Sequence, residues 1–208
     1  MTRESWDEAP ATWAIRADGF PDEAVARDGS TFLAGNGYLG VRGTLEPWRA
    51  DRYPAITVSD TYDMADGRWR ELCTVPNGLY AELHGEDGRD LLAITEADRL
   101  RRELDLRDGT FRRHVRADDL HVTVERFASY ADRHLVVTRL RVRADRPVEL
   151  HLRAGIDDRV WSLNGDHFAT RAPTGPDRGM LGSSCVTVER GTRIEVRDAL
   201  SVDGRRVD

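Results

Sequence analysis

The stretch "RRELDLRDGTFRRHV", residues 101–115, decides the fold. It reads as one hairpin: an extended run, the pair Asp108-Gly109, and a second extended run. Glycine at such a pair supplies the positive φ that a tight hairpin turn requires. The same Asp-Gly pair recurs at 66–67, 87–88 and 203–204, so tight turns are expected along much of the chain. From Leu79 onward apolar and polar residues alternate. Val122 and Val124 do so, as do Val136, Thr138, Leu140 and Val142, and then Val148, Leu150, Leu152, Ala154 and Ile156. A period of two places one apolar face of each strand on a core and one arginine-rich face toward water. Ala144-Asp145-Arg146-Pro147 marks a turn between two of these runs. The best helix candidate, "ITEADRLRREL" at 94–104, offers about two turns before it meets the alternating pattern. "RAPTGPDRGMLGSS", residues 171–184, reads as a long loop. Short strands joined by hairpins, without intervening helices, predict an all-β, two-sheet antiparallel sandwich. A length of 208 residues suits a single domain over 1–208, with about 70% of the unfolded surface buried.

Composition narrows the function classes. The net charge is −6, and all 31 basic residues are arginines dispersed among carboxylates. Nucleic acid needs a basic face, so it is not an expected partner. No run approaches the ~18 apolar residues of a membrane span. The opening "MTRESWDEAPATW" is acidic and lacks the apolar core of a secretory signal, which points to a cytoplasmic protein. Cys73 and Cys185 form neither a disulfide framework nor a metal-ligand spacing. They read as small buried apolar residues in a reducing compartment.

Residues 30–48, "STFLAGNGYLGVRGTLEPW", hold Gly35, Gly37 and Gly40 at the G-x-G-x-x-G spacing of a dinucleotide site. That chemistry needs a helix opening at the third glycine, so that its first amides hold the phosphates. Gly43 and Pro47 oppose a helix there. The nucleotide reading therefore fails, and no cofactor is expected. Gly35, Gly37, Gly40 and Gly43 are instead expected to serve close backbone packing or tight turning. Asn36, Tyr38 and Arg42 are the polar residues among them that a sugar or a partner domain would meet.

Catalytic constellations are sparse. Carboxylates are abundant, so the mere presence of a pair carries no information. His84, His114, His121, His134, His151 and His167 are spread out, without paired metal-ligand spacings, so no metal is expected. A histidine with a carboxylate would suit a mutarotase-type proton transfer on a free sugar. Among Trp6, Trp13, Trp48, Trp69 and Trp161, the loop-like settings of Trp48 and Trp69 suit stacking on a sugar or a partner domain.

Several longer segments resemble the N-terminal domain of glycoside hydrolase family 65, which holds trehalose, maltose and kojibiose phosphorylases and acid trehalases. They are residues 12–46 around "AGNGYLGVRG", residues 59–88 with "SDTYD", "REL" and "PN", the hairpin at 100–115, "VERFASYADRHLVVTRLRV" at 124–142, and "GIDDRVWSLNGDH" at 155–167. Their order carries the likeness more than any one motif. The resemblance implies a galactose-mutarotase-like super-sandwich that precedes a linker and a catalytic (α/α)6 barrel. The barrel holds the family's general acid and its phosphate site, inorganic phosphate as co-substrate taking the place of the water of an inverting hydrolysis, so no catalytic residue is expected here. Glu46, Asp63, Glu71, Asp157 and Asp158 are the carboxylates of interest because they lie in the family-like segments, each weighed against an ordinary turn, cap or ion pair. A chain of this length has no room for linker or barrel, and the domain looks shortened even against the family. Its expected partners are that barrel, a carbohydrate and a second copy of itself. A stand-alone carbohydrate-binding module is the other reading, with an aldose mutarotase behind it.

Overall fold

The computed structural model describes residues 13–64, 69–177 and 179–207. The Asp66-Gly67 pair and Trp6 lie outside the described residues. The hairpin around Asp108-Gly109 forms as read. Strands β7 (Leu100–Asp105) and β8 (Thr110–Ala117) pair antiparallel through Gly109, whose φ is +68°. They sit inside a five-stranded sheet, ordered β1 (Ala14–Asp18), β7, β8, β9 (Leu120–Ala128) and β10 (Val136–Ala144).

A second sheet of four strands runs β2 (Ala34–Gly35), β3 (Leu39–Val41), β4 (Ile56–Asp63) and β5 (Glu71–Val75). Strand β6 (Asn77–His84) pairs with β11 (His151–Asp157), and β12 (Phe168–Asp177), β13 (Met180–Thr187) and β14 (Arg193–Asp198) form a three-stranded sheet. A last small hairpin joins β15 (Ser201–Val202) to β16 (Arg205–Arg206). Asp203 and Gly204 both take positive φ there, as a two-residue turn requires. Among the described residues every strand pairing is antiparallel. The fold class is the expected all-β one.

The core follows the period of two. Leu83 and Ala81 of β6 pack with Leu100, Val115, Val122 and Val124 of the five-stranded sheet. Val41, Ile56 and Val75 of the four-stranded sheet pack with Leu79 of β6 and with Ile194 and Val196 of β14. Strand β6 thus contributes side chains to both clusters. Because β11 pairs with β6 and not with β10, the turn at Ala144–Pro147 carries the chain from one sheet to another.

Three expectations need correction. Arginines, expected on the water-facing side of the strands, also stand on the core side: Arg102, Arg113 and Arg126 are each at most 3% exposed. Register explains it: Arg102 pairs with Arg113, Arg113 with Val124 and Phe111 with Arg126, so all three stand in the inward row. Buried guanidiniums need partners, and Asp28 and Glu46 supply them. The candidate helix at 94–104 is a single turn closed by Leu100 N donating to Glu96 O (2.9 Å). Beyond it β7 wins, since its backbone pairs on both sides. The supposed loop at 171–184 is largely a β12–β13 hairpin. Proline normally argues against a strand, but Pro173 lies on β12, the edge of its sheet, where a missing donor is tolerated.

An α-helix adds an element that the alternating pattern does not predict. Helix α1 (Val25–Thr31) follows a 3-10 turn at Asp22–Ala24, with Pro21 just before it and acidic residues in the first turn. Proline and acids are ordinary start signals, but Gly29 inside the helix masks the pattern. Its Asp28 takes the guanidinium of Arg102 at 2.7 Å, and that group lies over the rings of Phe20 (3.8 Å) and Phe32 (4.9 Å).

Cys73 and Cys185 are free and fully buried, in one cluster with Phe168. Burial pushes the Cys73 thiol up to about 12 and the Cys185 thiol up to about 11. Since the thiolate is the nucleophile, both should stay unmodified by a thiol reagent at pH 8 in the native chain and react on denaturation. Fast labelling of either in the native chain would contradict this packing.

Candidate functional site

Three segments that are far apart in sequence meet on one face. Gly40 and Arg42 come from β3 and its exit, Glu71, Leu72 and Thr74 from β5, and Trp161, Ser162 and Leu163 from the loop before β12. With Leu33 they line a depression of about 340 Å³. Each segment lies within one of the stretches quoted above.

The glycine-rich segment is held from inside. Asn36 is 4% exposed. Its Nδ2 donates to the carbonyls of Ser129 (2.7 Å) and Arg133 (3.1 Å), and its Oδ1 accepts from the amides of Tyr38 (3.0 Å) and Leu39 (2.7 Å). Its donor and acceptor capacity is filled. Asn36 is thus a clasp between the β2–β3 turn and the β9–β10 loop. Tyr38 is half-buried and meets His134 edge-on at 4.7 Å. Arg42 turns toward α1, donating to Ser30 Oγ (2.9 Å) and the Ala26 carbonyl (2.9 Å). Burial lowers the pKa of its guanidinium. No helix follows Gly40, which lies within β3.

The loop from Asp158 to His167 is anchored below and apolar above. His167, fully buried, places Nε2 2.6 Å from Glu71 Oε1 and Nδ1 3.5 Å from Asp63 Oδ1. Asn164 donates its amide N–H to Glu71 Oε1 (2.7 Å) and its side-chain Nδ2 to the Trp69 carbonyl. Burial raises the pKa of Asp63, but the amides of Glu189 and Arg190, then Thr187 and His167, outweigh it and hold the carboxyl low. On the upper side Leu163 is 69% exposed and Trp161 rests edge-on against Tyr53 at 5.0 Å. On the other flank of Trp161 a second depression, about 410 Å³, is walled by Asp158, Arg159, Asp166 and Arg171.

The weighed carboxylates are mostly committed to structure. Glu46 is buried between Arg113 and Arg126, and Asp157 accepts from Arg49 at 2.8 Å and Arg159 at 3.1 Å. Asp63 and Glu71 hold the loop just described, and Asp158 stands in the wall of the second depression. Among the described residues, the carboxyls whose pKa is raised, as a general acid would need, are Asp90 and Asp198, both by burial. Neither lines these depressions. Asp90 accepts from the amides of Leu83 and Leu92, each at 3.0 Å. Trp48, expected in a loop-like exposed setting, is 9% exposed and packs on Phe20 at 4.5 Å. Trp69 is 49% exposed. Reading by residue type missed Leu33 and Leu163, because exposed leucines carry no sequence signal apart from a fold.

The family description "Glycosyl hydrolase family 65, N-terminal domain" matches residues 15–206. The chain belongs to glycoside hydrolase family 65. The family 65 chain is 36% identical over 200 residues to 1,2-alpha-glucosylglycerol phosphorylase of Bacillus selenitireducens, covering 92% of itself and 26% of that protein. It is 34% identical over 160 residues to nigerose phosphorylase of Lachnoclostridium phytofermentans, covering 75% of itself and 21% of the relative. A solved structure named for kojibiose phosphorylase, from the human microbiome, superposes with a TM-score of 0.64 at 14% identity, over 89% of this chain and 31% of the other. At that identity the likeness speaks for the fold. The family 65 chain thus spans about a quarter of the length of the curated relatives it matches most fully.

Proposed function

We propose that this chain is the non-catalytic N-terminal domain of a disaccharide phosphorylase, a single β-sandwich domain that packs on a catalytic barrel and helps shape its active site. The observation that carries the reading is the match of residues 15–206 to the N-terminal domain of the family, while relatives run about four times longer. The site supports it, because four of the five weighed carboxylates, Glu46, Asp63, Glu71 and Asp157, are engaged in ion pairs. Inorganic phosphate would then be a co-substrate of the whole enzyme, bound outside this domain. Two free buried thiols suit a cytoplasmic setting. Among the described residues no helix is long and apolar enough to cross a membrane.

The test is release of glucose 1-phosphate from 1,2-α-glucosylglycerol, nigerose and kojibiose with inorganic phosphate. The 208-residue chain should release none above buffer, and the longer polypeptide that carries this domain should turn over an α-glucoside. Turnover by the 208-residue chain itself would overturn the non-catalytic reading. Faster interconversion of α- and β-glucose by the chain would favour a mutarotase instead.

A further inference from the structure

We propose that the face built by Leu33, Leu72, Trp161 and Leu163 is where the C-terminal remainder of the longer polypeptide seats; this rests on the reading of the chain as an N-terminal domain. The first argument is how the loop is held. A buried histidine between two carboxylates and an asparagine with two hydrogen bonds fix residues 161–167 from beneath. Buried polar groups are costly without partners, so the bonds to Glu71 and the Trp69 carbonyl favour one loop geometry, although Asn164 Oδ1 and Asp63 Oδ1 accept no hydrogen bond. What that geometry presents is a leucine 69% exposed and an indole standing between two depressions. Leu33, two residues past α1 and 45% exposed, adds to the same depression from a different part of the chain. An apolar centre, fixed in place and bordered by Asp158, Arg159 and Asp166, has the layout of an interface core with a polar rim.

The occupant follows from length. The match covers nearly all of this chain but only 26% of the glucosylglycerol phosphorylase, and it is to an N-terminal domain, so the missing mass lies on the C-terminal side. That remainder is the partner present at equal concentration in every molecule, which makes a modest apolar face sufficient. Its matching surface should be apolar at the centre, with polar residues to meet the carboxylates and arginines of the rim.

The test uses thiol accessibility, since the native cysteines are buried. Leu163→Cys and, as a control on β13, Leu181→Cys (Leu181 is 50% exposed) are made in the 208-residue chain and in the longer polypeptide. Maleimide labelling of each position is followed by peptide mass spectrometry. Position 163 should label more than tenfold more slowly in the longer polypeptide than in the short chain, and position 181 equally in both. Equal rates at 163 in both would overturn the proposal while leaving the domain reading intact. Protection at 163 in the short chain that grows with protein concentration would assign the face to a second copy. Protection appearing only with an added α-glucoside would assign it to a sugar, and either result overturns the proposal. A reading frame closing at Asp208 would overturn both the proposal and the reading beneath it.

Discussion

Glu46→Gln is expected to destabilise the domain by about 4 kcal/mol, the cost of leaving buried charges without their partner, and to lower Tm by roughly 10 °C. Glu46 is 2% exposed, and its two carboxylate oxygens accept from Arg113 and Arg126, which are 0% and 3% exposed. Arg113 also donates to the Leu92 carbonyl at 3.4 Å, and Arg126 to the carbonyls of Arg42 and Thr44 at 3.2 and 3.3 Å. The group therefore ties β8 and β9 to the chain leaving β3. An amide fills the same space but carries no charge, so two guanidiniums would stay in the core uncompensated. Replacing all three together, as Glu46→Leu, Arg113→Met and Arg126→Met, should recover much of the loss, because no unpaired charge remains. Urea unfolding of both variants at pH 7 measures the contrast. A Glu46→Gln loss below ~1 kcal/mol, the scale of a solvated ion pair, would mean that water already reaches the triad.

The same group sets an acid limit. Burial pushes the Glu46 carboxyl up, but Arg113 and then Arg126 outweigh it, and its pKa falls below the ordinary 4.5. A carboxyl depressed in the fold contributes stability that is complete above the unfolded value and is lost as pH falls through the folded one. The wild-type chain should therefore lose stability below about pH 4.5, and the uncharged triple variant should lose less of it.

What was legible in the sequence divides along a physical line. Alternation and Asp-Gly turns act over a few residues, so β7, β8, β9 and the turn at Gly109 could be read directly. Alternation also fixes which residues share a face, but not the chemistry of that face. Arg102, Arg113 and Arg126 are indistinguishable by type from the chain's exposed arginines. What buries them is the presence of Asp28 and Glu46 across the core, 74, 67 and 80 residues away in sequence. The site is hidden in the sequence for the same reason. Trp48 reads as a surface indole because its neighbours in sequence are polar, yet its neighbour in space is Phe20. Trp161 has no such local signal, though with Ser162 it stands in the wall of both depressions that the loop creates. His167 is one histidine among several until the fold sets Asp63 and Glu71 on either side of it.

Gly43→Ala is the second large effect, expected at about 3 kcal/mol, the upper part of the range for forcing atoms into a packed core. Gly43 has no special φ; its constraint is room. A Cβ there would stand 2.4 Å from Phe32 Cβ and 2.5 Å from the Phe32 carbonyl oxygen. Neither atom is the free end of a flexible chain. Phe32 is 1% exposed, its ring packs on Phe111 at 5.7 Å and under the Arg102 guanidinium, and its amide closes α1 onto Asp28. Gly43 N also donates to Gly29 O at 2.9 Å, so the strand exit is fastened to the helix at the point of closest approach. Gly37 makes the comparison. It has φ +83°, and a methyl group there would meet open space, so Gly37→Ala should cost only the ~1–2 kcal/mol of a left-handed backbone. Thermal unfolding of the two variants separates the roles: Gly43→Ala should lose the more, by roughly twofold on those two ranges. The reverse order would mean that the segment turns on Gly37 and that α1 yields to a methyl group. Since Leu33, next to Phe32, and Arg42, next to Gly43, both line the depression that Leu163 shares, a shift at Gly43 should also speed labelling at position 163 in the longer polypeptide, linking this packing to the proposed interface.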